Sequence, residues 1–354
     1  MRKMLFLLLA LLTLTTSVSA IEIPDSARDF LPRELTESVE REDSLLLGGW
    51  AYLCDMVRDA LFGVLRSGVR SCAMLMLLAL LCGAAEGLAD GAGADAVRFV
   101  PYFGVLGASL LAAGDFTALI GLGAQTVDEL GVLGKLLIPT VAAAMAAGGC
   151  VGTASLWQVG TLFVSDVLLS LSRDVLLPLV YCYIALAAAG ALLPRGGLDV
   201  LAGGVKKLIS WGACGVTLLF TAFLTVSNVL MGSADKAAVK AGSFVISNAV
   251  PVVGGILSEA TEAVLAGAGV LRGTVGTLGV LAVLAVCAVP LLRLSVQFLF
   301  YQAAAFLSAM AGCETLQKFI NRLSGAFTQV LALTASCAAI LLVALLVAVT
   351  MVAI

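Results

Sequence analysis

Residues 235–276 read DKAAVKAGSFVISNAVPVVGGILSEATEAVLAGAGVLRGTVG. The stretch lies between two strongly apolar runs, yet it is not a plain membrane span. It carries two lysines, two glutamates, a Pro-Val-Val-Gly-Gly turn and a series of spaced glycines. Charge and irregular backbone are costly against lipid, so this stretch belongs along the bilayer surface or beside a hydrated path. Lys236 and Lys240 are four residues apart on one helical face, while Ala237, Ala241 and Phe244 lie close to another, the pattern of a short helix among lipid headgroups. Pro251 disfavours helical backbone at Val250, and Gly254 and Gly255 permit an unusual turn or a close approach. Beyond the turn, Ile256, Leu257, Ala260 and Val264 oppose Ser258, Glu259, Thr261 and Glu262, and the two glutamates can share a face. Arg272 sits between Gly269 and Gly273, a GxxxG pair that Gly276 and Gly279 continue.

The flanking sequence sets the class. Of 354 residues, 61% are hydrophobic and 12% are charged, and the mean hydropathy is +1.10. Soluble domains carry about 25% charged residues, so the chain is an integral membrane protein. A net charge of −3 leaves no electrostatic footprint for nucleic acid. With His 0, the commonest general base and metal ligand is missing from the sequence. Glu259 and Glu262 have no adjacent nucleophile signature or metal-ligand cluster, so no catalytic, metal or cofactor site is expected. The carboxylates read instead as the lining of a wet surface, a vestibule or a partner interface. Most of the nine cysteines fall in apolar runs as small packing residues, with Cys54 and Cys313 as the exposed thiols.

The N-terminus has the layout of a secretory signal, residues 1–20. Arg2 and Lys3 precede the apolar run Leu5 to Leu14, and Val18-Ser19-Ala20 offers a cleavage site; an uncleaved anchor is the alternative. Residues 21–70 form an extracytoplasmic linker and then an amphipathic helix, with Leu46, Trp50, Leu53, Val57, Leu61 and Val64 at helical spacing. Residues 71–354 form a polytopic transmembrane domain in which 235–273 lies between spans. The fold class expected is all-α, with about eight spans, interfacial amphipathic helices and a broken or re-entrant segment near Pro251. The spans fall near 72–90, 99–121, 127–149, 154–171, 175–193, 208–231, 275–298 and 327–354.

With a cleaved signal, residue 21 lies outside and the fifth span ends inside at Arg195. Arg195, Lys206 and Lys207 then face the cytoplasm together with Lys318 and Arg322, in line with the positive-inside tendency. Residues 235–273 fall on the outer side. Five charges lie within or near spans: Glu86, Asp115, Lys135, Asp166 and Arg293. Each costs on the order of 2–3 kcal/mol at mid-bilayer, so they should face other helices or water. Lys135 has Asp115 or Asp166 as a partner, and spacing alone does not choose between them. Ala144 and Gly148 form a further small-residue pair.

Residues 248–254 (Asn-Ala-Val-Pro-Val-Val-Gly), Ser258-Glu259-Ala260 and Val270-Leu271-Arg272-Gly273-Thr274-Val275-Gly276 occur in an order that resembles the stage III sporulation AE membrane protein family. Lys236-Ala237-Ala238 to Phe244, Phe300-Tyr301 and the Ala303–Ala305 run extend the similarity. The chain departs from the usual pattern at Ala249, Gly273 and Gln302. The resemblance implies an endospore-forming bacterium and a multi-pass protein of the mother-cell membrane facing the forespore. It implies a component of the channel, or feeding-tube, complex needed for endospore development, a non-enzymatic subunit of a secretion-like apparatus. The partners implied are the other proteins of the stage III sporulation A operon, including a secretion-type ATPase and ring-forming proteins. Homo-oligomerisation and a stand-alone secondary transporter remain open. A transporter of that kind is expected to carry inverted repeats with matching broken helices, and the broken region near Pro251 has no convincing counterpart in the first half, where Pro139 is no more than suggestive.

Overall fold

The structure is a computed structural model. It describes the backbone of residues 33–90, 100–147, 151–192, 196–249 and 254–350, and most side chains of 53–85, 102–147, 152–192, 197–227 and 275–348. The signal-like segment and Pro251 lie outside the described residues. The chain divides into two units, Met1–Leu45 and Leu46–Ile354. In the first, residues 33–45 are helical.

Every long element among the described residues is a helix. They are α1 (Arg33–Asp90), α2 (Val100–Ala147), α3 (Val151–Leu171), α4 (Leu177–Leu192), α5 (Gly196–Ala249), α6 (Gly254–Met310) and α7 (Glu314–Thr350). A five-residue π-helical turn, Ser172–Leu176, joins α3 to α4 without a break. Among the described residues the chain has 6 helical stretches long and apolar enough to cross a membrane. They are Leu53–Ala85, Tyr102–Ala147, Gly152–Leu192, Gly197–Ser227, Leu278–Met310 and Glu314–Ala348.

Six stretches replace about eight because two expected loops are helical. The segment around Gln125 and Asp128 interrupts the apolar run, but its polar groups are satisfied without leaving the helix. Gln125 Nε2 donates to Glu129 Oε1 at 2.8 Å, and Thr126 Oγ1 donates back to the Leu122 carbonyl at 2.7 Å. Asp128 meets Arg173 of the π-helical turn. The same ion pair stabilises Ser172–Leu176 as a helical bulge, a common way of inserting a residue into a helix without ending it. Pro139 sits inside α2, where neighbouring helices make a proline tolerable in a membrane span. The 46-residue stretch of α2 is about 69 Å long at the helical rise, more than twice the hydrocarbon thickness of ~30 Å. It therefore tilts strongly or stands beyond the bilayer.

Each merged pair removes one crossing. The third stretch ends at Leu192, where the fifth span was expected to end, so the parity behind the expected sidedness of the later helices is kept. The two short helices expected within 235–273 are extensions of α5 and α6 in the backbone, with Pro251 between the end of α5 at Ala249 and the start of α6 at Gly254.

Helix α7 is the axis of the bundle. Of its most apolar window 56% is buried, against 28% to 39% for the others, and it packs on α6, α2, α5 and α4. A helix apolar on all sides belongs at the centre; Leu316, Leu323, Val330 and Leu341 are each at most 2% exposed around it. Helices α2 and α7 run parallel in close contact. Phe116 stacks on Phe327 with centroids 4.6 Å apart, and at Gly123 an added Cβ would sit 2.7 Å from Val330 Cγ1. The α6–α7 turn rests on Gly312, whose φ of 86° is a left-handed conformation open to glycine. Its backbone N–H donates to the Ala309 carbonyl at 3.1 Å.

Candidate functional site

The sequence places five charges in or near spans, and the bundle gives three of them polar partners. Asp115 lies on α2 where it faces α6. Its Oδ2 accepts a hydrogen bond from Gln297 Nε2 at 3.1 Å and another from Tyr301 Oη at 3.0 Å. Gln297 and Tyr301 are one helical turn apart on α6, so a single carboxyl oxygen collects both donors. Tyr301 is fully buried, and its ring packs edge-on against Phe327 and Phe116 at 4.7 and 6.0 Å. The polar trio is thus closed on one side by aromatic rings from α2 and α7. Next to it, Cys72 of α1 points its thiol at the Phe300 carbonyl at 3.4 Å, which brings α1 to the same place.

Lys135 pairs with Asp166, not Asp115: Nζ lies 2.8 Å from Oδ1. The pair joins α2 to α3, and both side chains are more than half exposed on the bundle surface. Together with Asp128 and Arg173 it forms a ladder of two ion pairs along the α2–α3 contact. Arg293 is exposed on α6, and no ion pair with it is formed among the described residues. Glu86 lies on α1 with its side chain outside the described residues.

The central segment is described in its backbone alone. Lys236 and Lys240 are in the C-terminal part of α5, and Gly254, Gly255, Glu259, Glu262 and Arg272 are in the N-terminal part of α6. Their side chains, like Pro251 itself, lie outside the described residues. At Gly279 an added Cβ would sit 3.2 Å from Leu345 Cδ1 of α7, a tight contact, so that member of the small-residue series packs within the chain. Cys313, expected to be exposed, is 0% exposed, and its thiol points at the Ala79 carbonyl at 3.6 Å. The turn that holds it folds back under α1.

The two basic clusters expected on one side of the membrane do meet. Arg322, near the start of α7, forms a two-point contact with Asp199, near the start of α5: Nη1 to Oδ1 and Nη2 to Oδ2, both 2.8 Å. Tyr183 of α4 donates its hydroxyl to the Arg322 carbonyl at 3.0 Å. Two turns further along α7, Ser210 Oγ donates to Gln329 Oε1 at 3.0 Å. Sequence reasoning singled out neither Gln297 nor Asp199, and Tyr301 only as part of the resemblance. Partners of this kind are recognisable only once the helix faces are known. On α3, Trp157 Nε1 and Thr161 Oγ1 are buried one turn apart without a hydrogen-bond partner.

Several of the described polar residues lie in pairs and trios at helix contacts. Their chemistry is that of joints between helices in an apolar medium, where each hydrogen bond holds two elements in register.

Comparison with known proteins agrees with this architecture. The sequence model of the family described as Stage III sporulation protein AE matches residues 43–352. A curated relative, stage III sporulation protein AE of Bacillus subtilis (strain 168), is 24% identical over 205 residues, covering 57% of this chain and 51% of the relative. The matched region thus spans about half the length of that relative. No solved structure matches the chain. The family match runs through all six candidate membrane-crossing stretches, and the chain belongs to the stage III sporulation protein AE family.

Proposed function

We propose that the protein is a non-enzymatic membrane subunit of the channel complex that joins mother cell and engulfed forespore during endospore development. Its family is named for stage III of sporulation, which gives the chain a sporulation role. The finer reading sets it in the mother-cell membrane, facing the forespore, as part of a secretion-like apparatus. Its partners in that reading are the other stage III sporulation A proteins, namely the secretion-type ATPase on the cytoplasmic side and the ring-forming proteins between the membranes. The observation that carries this reading is the family match over residues 43–352.

Two features of the bundle support a subunit role. Several of its described polar groups tie helices to one another, and α2 is longer than one bilayer is thick, so that, if it stands beyond the bilayer, it offers helical surface to other proteins. The segment 235–273, with Lys236, Lys240, Glu259, Glu262 and Arg272, is the part proposed to meet the ring from the outer side.

The test is assembly against transport. The tagged full chain, purified from sporulating cells, should carry the ATPase and ring proteins with it. Reconstituted alone in liposomes, it should move no solute down an ion gradient. Gradient-driven uptake by the protein alone, without co-purifying partners, would instead make it a self-contained secondary transporter. Glu259→Lys with Glu262→Lys should reduce spore formation; unaltered sporulation would remove the segment from the mechanism.

A further inference from the structure

The basic end of the bundle carries a charged patch that the channel-subunit reading does not use. Helices α4, α5 and α7 meet at Gly325, where an added Cβ would lie 3.0 Å from Tyr183 Oη and 3.1 Å from Lys206 Nζ. A hydroxyl and an ammonium from two different helices thus converge on the α7 backbone. Arg322 lies one turn away, held in place by Asp199. Among the described residues neither Lys206 nor Lys207 forms an ion pair. Counting Arg322, Lys206 and Lys207 against Asp199, the patch keeps a net charge of about +2 at neutral pH.

The neighbouring surface on α5 is apolar. Lys207 and Trp211 are four residues apart on one face, and Trp211 is 82% exposed, the most exposed of the large hydrophobic side chains. Leu208, Leu218 and Leu219 continue the exposed apolar surface along the same helix. Unpaired ammonium groups, then an indole, then exposed leucines form the profile of a membrane boundary read from headgroup to acyl chain. Tryptophan prefers the interface, and lysine stems lie along apolar surface while their charges reach outward.

We propose that the basic patch formed by Lys206, Lys207 and the Asp199-braced Arg322 binds the headgroup phosphate of an anionic phospholipid, whose acyl chains lie along Trp211 and Leu218. The charge surplus selects an anion. The exposed apolar strip leading away from it selects a lipid over a free phosphate. Basic groups near the ends of membrane helices are suited to such headgroups. The Arg322–Asp199 pair acts as a positioning element, since it ties the starts of α5 and α7 together beside Lys206.

Fluorescence of Trp211 tests this in the full-length protein carrying Trp50→Phe. Trp157, 1% exposed, remains as a shielded background. Brominated phosphatidylglycerol, mixed into phosphatidylcholine vesicles, should quench Trp211 at a lower mole fraction than brominated phosphatidylcholine does. Each lysine should supply roughly fivefold in relative lipid affinity. Lys206→Gln with Lys207→Gln should therefore remove most of the preference, and Lys206→Arg with Lys207→Arg should keep it. Lys318→Gln, outside the patch, should leave it unchanged, which separates this patch from general surface charge. Equal quenching by the two lipids, or a preference that survives the double glutamine variant, overturns the proposal. So does loss of the preference in inorganic phosphate but not in chloride of equal ionic strength, since a free anion would then be the occupant.

Discussion

The Tyr301 hydroxyl donates to Asp115 Oδ2 across 186 residues of sequence, joining α6 to α2 inside the bundle. Tyr301→Phe removes the donor and keeps the ring packed against Phe327. The expected cost is about 1–2 kcal/mol, seen as a lower thermal midpoint in detergent. With Asp115→Ala already present, the same substitution should cost less, by a coupling of about 1 kcal/mol. Additive losses would mean that the contact contributes nothing.

Lys135 and Asp166 are expected to behave as one unit. Either Lys135→Leu or Asp166→Leu leaves a single charge on a membrane-facing surface, at a cost of about 2–3 kcal/mol. Each should lower the amount of protein recovered in the membrane fraction. The double leucine variant removes both charges and should recover to near the unaltered level. A double variant as poor as the singles would show that the pair is held for another reason.

At the α2–α7 crossing, Gly123→Ala drives a methyl group toward Val330 Cγ1, which an added Cβ would meet at 2.7 Å. Overpacking of this kind costs about 1–3 kcal/mol. Val330→Ala in the same chain makes room for it. The pair should melt above the Gly123→Ala variant, and failure to do so would mean that the helices separate easily there.

Gly312→Ala forces a side chain into the left-handed turn between α6 and α7. The penalty is about 1–2 kcal/mol, again read as a fall in melting temperature. Gly114, in open space on α2, is the control: Gly114→Ala should be neutral or mildly stabilising, because alanine favours helix over glycine.

The helical class and the membrane setting could be read from composition. The number of crossings could not. Breaks are expected where polar residues interrupt apolar runs, at 122–126 and 172–174, and hydropathy does not register an ion pair formed beside them. Arg173 answers Asp128 from a segment 45 residues away, so both helices continue. The partner of Lys135 stayed open for a similar reason: Asp115 faces α6, a direction set by the rotation of α2 against the whole bundle. Cys313 looked exposed because it lies in a turn between polar residues, yet the turn tucks it beneath α1. The central motif near Pro251 carried the resemblance to the family, which the match over residues 43–352 then established.

The arrangement rests on the basic ends of α5 and α7 facing the cytoplasm and residues 235–273 facing the opposite side. In a cysteine-free background expressed in growing cells, Glu259→Cys and Lys318→Cys lie on either side of the α6 crossing and can be probed with a membrane-impermeant maleimide. Labelling of Glu259→Cys in intact cells, with Lys318→Cys labelled only after the membrane is opened, is the predicted result. Labelling of Lys318→Cys from outside, or of both positions from one side, would contradict it.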